Sequence, residues 1–286
     1  MVPALAVPAA QPDQPSLWPE LDRAAASPAD PPPPPPVAGQ APAELAAEPA
    51  GEATGQSGCP RQLLILDTET TGLDPATGAC IEVGAVLFRV PERAVLAQVS
   101  FLLPVEANPA EAINGIPAAI SRLPQPWQAG LQCFEAMLAA ADAVLAHNAA
   151  FDRQWFGRGP LPAITQPWIC SMEDIRWPAE RQLRSNPSVR DLALAYGVPV
   201  WAAHRALTDC TYLAQVLERC PGLEAMLEAA MEPRRLFRAQ LSYAERHRAK
   251  QAGFRWNDPV PGAWTRRLSE REARALSFAV QPVEAA

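Results

Sequence analysis

The stretch from Arg61 to Pro75, RQLLILDTETTGLDP, constrains this chain more than any other. Leu63–Leu66 is a short, unbroken apolar run, the pattern of a strand buried on both faces. It ends abruptly in Asp67 and Glu69, with Thr68 between them. Residues two apart on a strand point to the same side, so the two carboxylates converge on one spot. Gly72 and the Asp74-Pro75 pair then turn the chain. Two like charges leaving an apolar strand repel each other and are costly to desolvate unless something positive sits between them. A divalent metal ion is the simplest candidate. Acids after a strand are often only a solvated turn, but two later stretches supply partners that a turn does not need.

The chain has 286 residues, enough for one ordinary domain plus attachments. Residues 1–58 are dominated by Ala and Pro, with six consecutive prolines from Pro31 to Pro36. Such a segment buries too little apolar surface to offset its ordering entropy, so a disordered, polyproline-II-like tether is expected there. An ordered domain is expected over 59–225, and a small basic domain over 232–286. The net charge of −7 hides an asymmetry: residues 232–286 carry 11 Lys/Arg against 6 Asp/Glu, a local +5. An acidic body with a basic appendage suits a metal-using enzyme whose attached piece touches polyanions.

The six cysteines, Cys59, Cys80, Cys133, Cys170, Cys210 and Cys220, form no CxxC pair, and no His stands at zinc-finger spacing from them. Reduced, mostly buried thiols and a cytoplasmic location follow as expectations. The N-terminus has no basic n-region, which argues against a signal peptide. No segment approaches the ~18 uninterrupted apolar residues of a membrane span, so no membrane partner is expected.

Cys80–Val90 and Ala94–Val105 are rich in β-branched and apolar residues and read as strands, making a three-stranded meander with the first. Leu131–Asp142 has helical spacing, Ala143–Ala146 reads as a short strand, and helices are expected over Ala150–Phe156, Val189–Tyr196 and most of His204–Cys220. Strands alternating with helices after an initial meander imply an α/β layer fold with a mixed sheet.

The second informative stretch is LAHNAAFDRQWF, Leu145–Phe156. A strand ends at His147-Asn148, Asn148 is suited to cap the next helix, and Asp152 falls in that helix's first turns. The third is AHRALTDC, Ala203–Cys210, in which Asp209 lies inside a long helix. His204 precedes Asp209 by five residues, roughly 500° of helix, so the two cannot share a face of one regular helix. His204 is therefore expected on a loop at the helix entrance, swinging over the same site.

LDTETTG, HNAAFD and HRALTD together resemble the three motifs of the DEDDh exonuclease superfamily. The likeness is strongest to the proofreading epsilon subunit of bacterial DNA polymerase III, and it covers about Arg61–Pro221. The resemblance implies a ribonuclease-H-like fold: a mixed five-stranded sheet flanked by helices. It also implies 3′→5′ nucleotide removal with two divalent cations, Mg²⁺ or Mn²⁺. Carried over by motif, Asp67, Glu69, Asp152 and Asp209 are the metal-binding acids and His204 is the general base. An unperturbed imidazole titrates near pH ~6.5 and can act as a base at neutral pH. Two such ions stabilise both the attacking and the departing oxygen of an in-line displacement. Hard oxygen ligands suit these ions better than zinc. Thr70 and Leu73 are the candidates for lining the terminal-nucleotide pocket, with shaping the turn as their equal alternative.

The basic C-terminal stretch interleaves Arg and Lys with Phe254, Trp256 and Trp264 and reads as a helix–hairpin unit, a small α+β appendage. The aromatics are expected to form its core, with arginines solvated outside. The leading function is a 3′→5′ exonuclease releasing nucleotides from DNA 3′ ends in proofreading or repair, with single-stranded DNA as the expected partner. An RNA-directed relative of ribonuclease T or oligoribonuclease type shares the same core. A silent module binding nucleic acid or a polymerase would not need all five site residues. Finally, Gln14-Pro15-Ser16-Leu17-Trp18 resembles the short peptides by which polymerase-associated proteins hold the sliding clamp, which makes polymerase and clamp candidate partners.

Overall fold

Alternate residues of the first strand are buried in different cores. The computed structural model describes residues 58–201 and 204–283, so the expectations for the N-terminal tether and for Gln14–Trp18 lie outside the described residues. Strand β1 (Gln62–Thr70) turns Leu63 and Ile65 to one face of a sheet and Leu64 and Leu66 to the other. Each buried aliphatic side chain contributes ~1.5–3 kcal/mol. A one-residue slip would exchange the two sets and carry Asp67 to the wrong side, so the apolar run fixes the register of the carboxylates.

The expected meander is present as β1, β2 (Cys80–Arg89) and β3 (Ala94–Leu102), all antiparallel neighbours. Short helices α1 (Glu111–Asn114) and α2 (Ala118–Ser121) lead into α3 (Trp127–Ala140). Strand β4 (Ala143–Ala146) then pairs parallel to β1. Helix α4 (Ala149–Arg153) follows, and β5 (Trp168–Cys170) pairs parallel to β4. The result is a mixed five-stranded sheet in the order β3-β2-β1-β4-β5, the ribonuclease-H-like arrangement. Helices α5 (Val189–Ala195), α6 (Ala206–Glu218) and α7 (Leu223–Ala230) cover the Leu63/Ile65 face through Leu192, Leu213, Leu217 and Leu227. Phe134 and Leu138 of α3, with Trp155, cover the Leu64/Leu66 face.

Two local expectations change. Asn148 occupies the cap position of α4 but in a left-handed conformation, φ 63°, and its side chain makes no capping hydrogen bond. Strand β5 and helix α7 went unread, the first because three residues carry no period. Helix α5 carries a full capping box between Ser188 and Asp191.

The C-terminal region contains β6 (Arg234–Ala239), α8 (Arg246–Gln251), β7 (Arg255–Trp256), β8 (Trp264–Ser269), α9 (Glu270–Ala275) and β9 (Val280–Pro282). They build a second sheet in the order β7-β8-β6-β9, with neighbours antiparallel. Its core is Phe237, Ala249, Phe254 and Leu268. Of the three aromatics expected inside, Phe254 is buried and Trp264 half-buried, whereas Trp256 is 52% exposed and lies against Trp264. Nor are all the arginines outside. The Arg234 side chain is only 4% exposed, held between Asp174 and Glu272 and donating to the carbonyls of Asp174 and Ala229. Arg176 meets the same Glu272 at 2.7 Å. No helix among the described residues is long and apolar enough to cross a membrane.

Candidate active site

The end of β1 delivers Asp67 and Glu69 to the sheet face covered by α6, and Asp209 comes from the first turn of that helix. One carboxylate oxygen from each of the three lies within 4.8 Å of the others. Thr68, between them in sequence, points the opposite way and meets Asp152 of α4. Asp152 Oδ1 accepts hydrogen bonds from the Thr68 backbone N–H at 3.0 Å and from its hydroxyl at 2.8 Å. The alternation of one strand thus supplies two acids directly and anchors a third through the residue between them.

Helix α6 is seated by close backbone approach. A Cβ on Gly84 of β2 would fall 2.2 Å from the Leu207 nitrogen and 2.4 Å from the Ala206 carbonyl carbon, so only glycine fits. Gly84 pairs with Asp67 across β1 and β2, which puts this contact beside the carboxylates. Cys210 donates to the Gly84 carbonyl at 3.3 Å.

A further acid was missed by sequence reasoning. Glu82 of β2 pairs directly with Glu69 in the ladder and is 1% exposed. It takes a bidentate pair from Arg205, at 3.0 and 2.8 Å, and accepts from the Ala206 N–H at 3.2 Å and from Ser100 at 3.0 Å. Glu82 therefore ties the N-terminus of α6 to the sheet. The signal was the lone acid in CIEVGAVLF, visible only once register places it opposite Glu69.

His204 stands at the helix entrance, exposed, in a left-handed conformation with φ 60°, two residues before α6 begins. Burial raises the Asp209 carboxyl above its ordinary range, opposed by a hydrogen bond from the His204 backbone N–H and by the His204 charge. The hydroxyl of Thr70 donates to the Gly72 carbonyl at 2.7 Å, so this side chain holds the turn. Leu73, at the tip of that turn, is 83% exposed. Asn114 is buried and donates to the Thr70 carbonyl at 3.1 Å, supporting the turn from α1. His147, of the second stretch, bonds Ser171 at 2.9 Å. Burial pushes its pKa down to about 4, so it serves as a neutral link between strand ends.

The carboxylates crowd like charge into a buried site. Burial, then the charges of Glu82, Asp209 and Asp152, push Glu69 up to about 8. Asp67 is raised well above the ordinary carboxylate range by burial and by the surrounding acids, Asp152 foremost. Asp152 rises to about 7 through burial, although both Thr68 bonds oppose it. Arg205, already paired with Glu82, lowers Glu69 but does not reverse the shift. A divalent ion fits this donor set. The ligand atoms are hard carboxylate oxygens, and the neighbouring thiols of Cys80 and Cys210 are turned to the carbonyls of Glu82 and Gly84.

The exonuclease family (RNase_T) matches residues 64–217, and a domain of unknown function (DUF8626) matches residues 235–283. No curated protein sequence matches the chain. Among solved structures, the chain is similar to exonuclease X in complex with 5′ overhanging duplex DNA, with 25% identity and a TM-score of 0.41. That match covers 59% of this chain and 99% of the other. It is also similar to cell-death related nuclease 4, with 16% identity and a TM-score of 0.47 over 80% and 83% of the two chains. The zinc-bound E. coli ExoI–ssDNA complex gives 20% identity and a TM-score of 0.42 over 57% and 41%.

Proposed function

This chain belongs to the exonuclease (RNase_T) family, and from that premise we propose that it removes nucleotides from the 3′ ends of DNA by metal-dependent phosphodiester hydrolysis, in proofreading or repair. One observation carries the reading: three carboxylates from β1 and α6 whose oxygens lie within 4.8 Å of one another, crowded so that burial and mutual repulsion raise Asp67 and Glu69. The likeness of LDTETTG, HNAAFD and HRALTD to the DNA-proofreading epsilon subunit supports DNA as the substrate.

Asp67, Glu69, Asp152 and Asp209 would hold two Mg²⁺ or Mn²⁺ ions, which supply positive charge for the water that attacks and for the 3′ oxygen that leaves. Asp67 and Glu69 come from a strand locked by two cores, so their positions are set before substrate arrives. Thr68 holds Asp152 by two hydrogen bonds. His204 accepts the proton of the attacking water. The new bond joins water oxygen to phosphorus, and the P–O3′ bond breaks. The departing oxygen takes up a proton, leaving a shortened strand with a 3′-hydroxyl and a free nucleoside 5′-monophosphate. Leu73, exposed on its turn, packs against the terminal base, and Thr70 fixes that turn through Gly72. A polymerase or clamp contact through Gln14–Trp18 rests on sequence alone.

The test is digestion of 5′-labelled single-stranded DNA, duplex DNA and RNA with Mg²⁺, Mn²⁺ or EDTA. A ladder shortening from the 3′ end of DNA, abolished by EDTA, is expected. Digestion of RNA alone would replace the DNA reading with the ribonuclease one, and EDTA-resistant cleavage would remove the metal chemistry.

A further inference from the structure

One face of the C-terminal sheet carries exposed arginines. Residues directly opposite in an antiparallel ladder share a face. Arg255 lies opposite Thr265, Thr265 opposite Arg238, and Arg238 opposite Gln281, so one polar row crosses all four strands. The adjacent row on the same face holds Leu236 opposite Arg267. The other face carries Phe237 and Leu268 into the small core beneath α8. Thr265, in the middle of the polar row, is buried, and alternation leaves Arg238 and Arg267 exposed on the face opposite Phe237 and Leu268.

The cationic face continues into the nuclease body. A cleft of about 330 Å³ is lined by Leu236, Arg255, Thr265 and Arg267 on one side and by Ala150 and Glu173 on the other. Ala150 is in α4, two residues before Asp152. Within this face the arginines divide into two kinds. Arg255 is neutralised by Glu173 and Asp258, and Arg234 is neutralised by Asp174 and Glu272. Arg238 and Arg267 are exposed and, among the described residues, have no ion pair. The paired arginines join the two sheets, and the unpaired ones offer charge to a partner.

We propose that this sheet face binds the phosphodiester backbone of the single-stranded DNA whose 3′ end is being digested, with Arg238 and Arg267 contacting phosphates behind the terminal nucleotide. The proposal rests on the nuclease reading above for the identity of the strand. Its support is charge complementarity, and the cleft that runs from Arg267 to Ala150 on the exposed side of α4. Two exposed arginines with no ion pair among the described residues suit the repeating anion of a nucleic-acid backbone, and backbone charge contacts are sequence-independent.

The test measures affinity of the full chain for a 20-nucleotide single-stranded DNA across a salt series in EDTA, where hydrolysis does not interfere. Each phosphate contact on a single strand contributes about 0.7 to the slope of log affinity against log salt. Arg238→Gln/Arg267→Gln should lower the slope by about 1.4 and weaken binding about 10–30-fold at 0.1 M salt. Arg238→Lys/Arg267→Lys should keep most of the slope. Arg274→Gln, an exposed arginine of α9 away from this face, should keep all of it. In Mg²⁺, the rate loss of the Gln variant on a dinucleotide should be at least tenfold smaller than on the 20-mer. An unchanged slope in the Gln variant, an equal drop in Arg274→Gln, or a drop seen with RNA of the same length and not with DNA would each overturn the proposal. Because binding is read without turnover, a wild-type chain that binds with this slope but cleaves nothing would refute the nuclease reading and leave the binding face standing.

Discussion

Replacing Gly84 by alanine should separate positioning from chemistry at this site. The added methyl would meet backbone atoms of Ala206 and Leu207 at 2.2–2.7 Å. Ordinary non-bonded carbon contacts lie at ~3.5–4.0 Å, so α6 must retreat by about 1 Å, because neither the β2 backbone nor the helix backbone can rotate out of the way. Overpacking of this kind costs about 1–3 kcal/mol, roughly 3–10 °C in melting temperature for a chain of this size. The retreat also carries Asp209 away from Asp67 and Glu69, and a misplacement near 1 Å can cost about 10²-fold in rate. Single-turnover hydrolysis at saturating Mn²⁺, calorimetric Mn²⁺ affinity and thermal melting would be measured together. We expect a rate loss of about 10² and weaker metal binding in a protein that remains folded. Wild-type rate and affinity in Gly84→Ala would refute the claim that this backbone contact sets the position of Asp209.

Asp67→Ala should reduce nucleotide release by at least about 10²–10³-fold yet raise the melting temperature of the metal-free protein, since a buried like charge is removed; a lower melting temperature in EDTA would contradict the charge argument. His204→Ala should slow hydrolysis by about 10²–10⁴-fold with little change in calorimetric Mn²⁺ affinity, and the reverse pattern would make it a ligand instead of a base. Glu69 and Asp152 have native pKa values raised to about 8 and about 7 from ordinary values of 4.5 and 3.8. The metal-free native state therefore binds more protons than the unfolded chain, and its stability, intact below pH ~4, falls as pH rises through ~4–8. Stabilisation by added Mg²⁺ should accordingly grow between pH 5 and pH 8, and a pH-independent melting shift would count against the raised values. Arg234→Ala should destabilise the full chain by about 1–3 kcal/mol in denaturant unfolding, since Asp174 loses its cation while Glu272 keeps Arg176; a loss below about 0.5 kcal/mol would mean that the junction is solvated.

Much of the catalytic half was legible because its signals are local. Leu63–Leu66 announces burial on both faces, and the five-residue gap between His204 and Asp209 excludes a shared helical face, placing His204 on the loop where it stands. Glu82 was illegible because its role depends on which residue lies opposite, a property of register rather than of the strand's own sequence. The helix and hairpin of the C-terminal domain were legible, but its junction was not, for a related reason. RRLFRA reads as a solvated basic segment, and nothing within it reveals that Arg234 meets an acid 60 residues earlier in the chain. Trp256 reads like Phe254, yet it falls on a two-residue edge strand, where one side of the ring has no covering element.

The ionic junction of Arg234 with Asp174 and Glu272 is a weld rather than a hinge. Swinging the second sheet away would strand a guanidinium that is 4% exposed, together with its two carboxylates, and such exposure of unpaired charge is opposed by several kcal/mol. The distance from the arginine rows to the carboxylates is then set when the chain folds, not when substrate arrives. A strand that engages both must span that fixed interval, so the shortest substrate bound at full strength becomes a molecular ruler whose length is written into the junction.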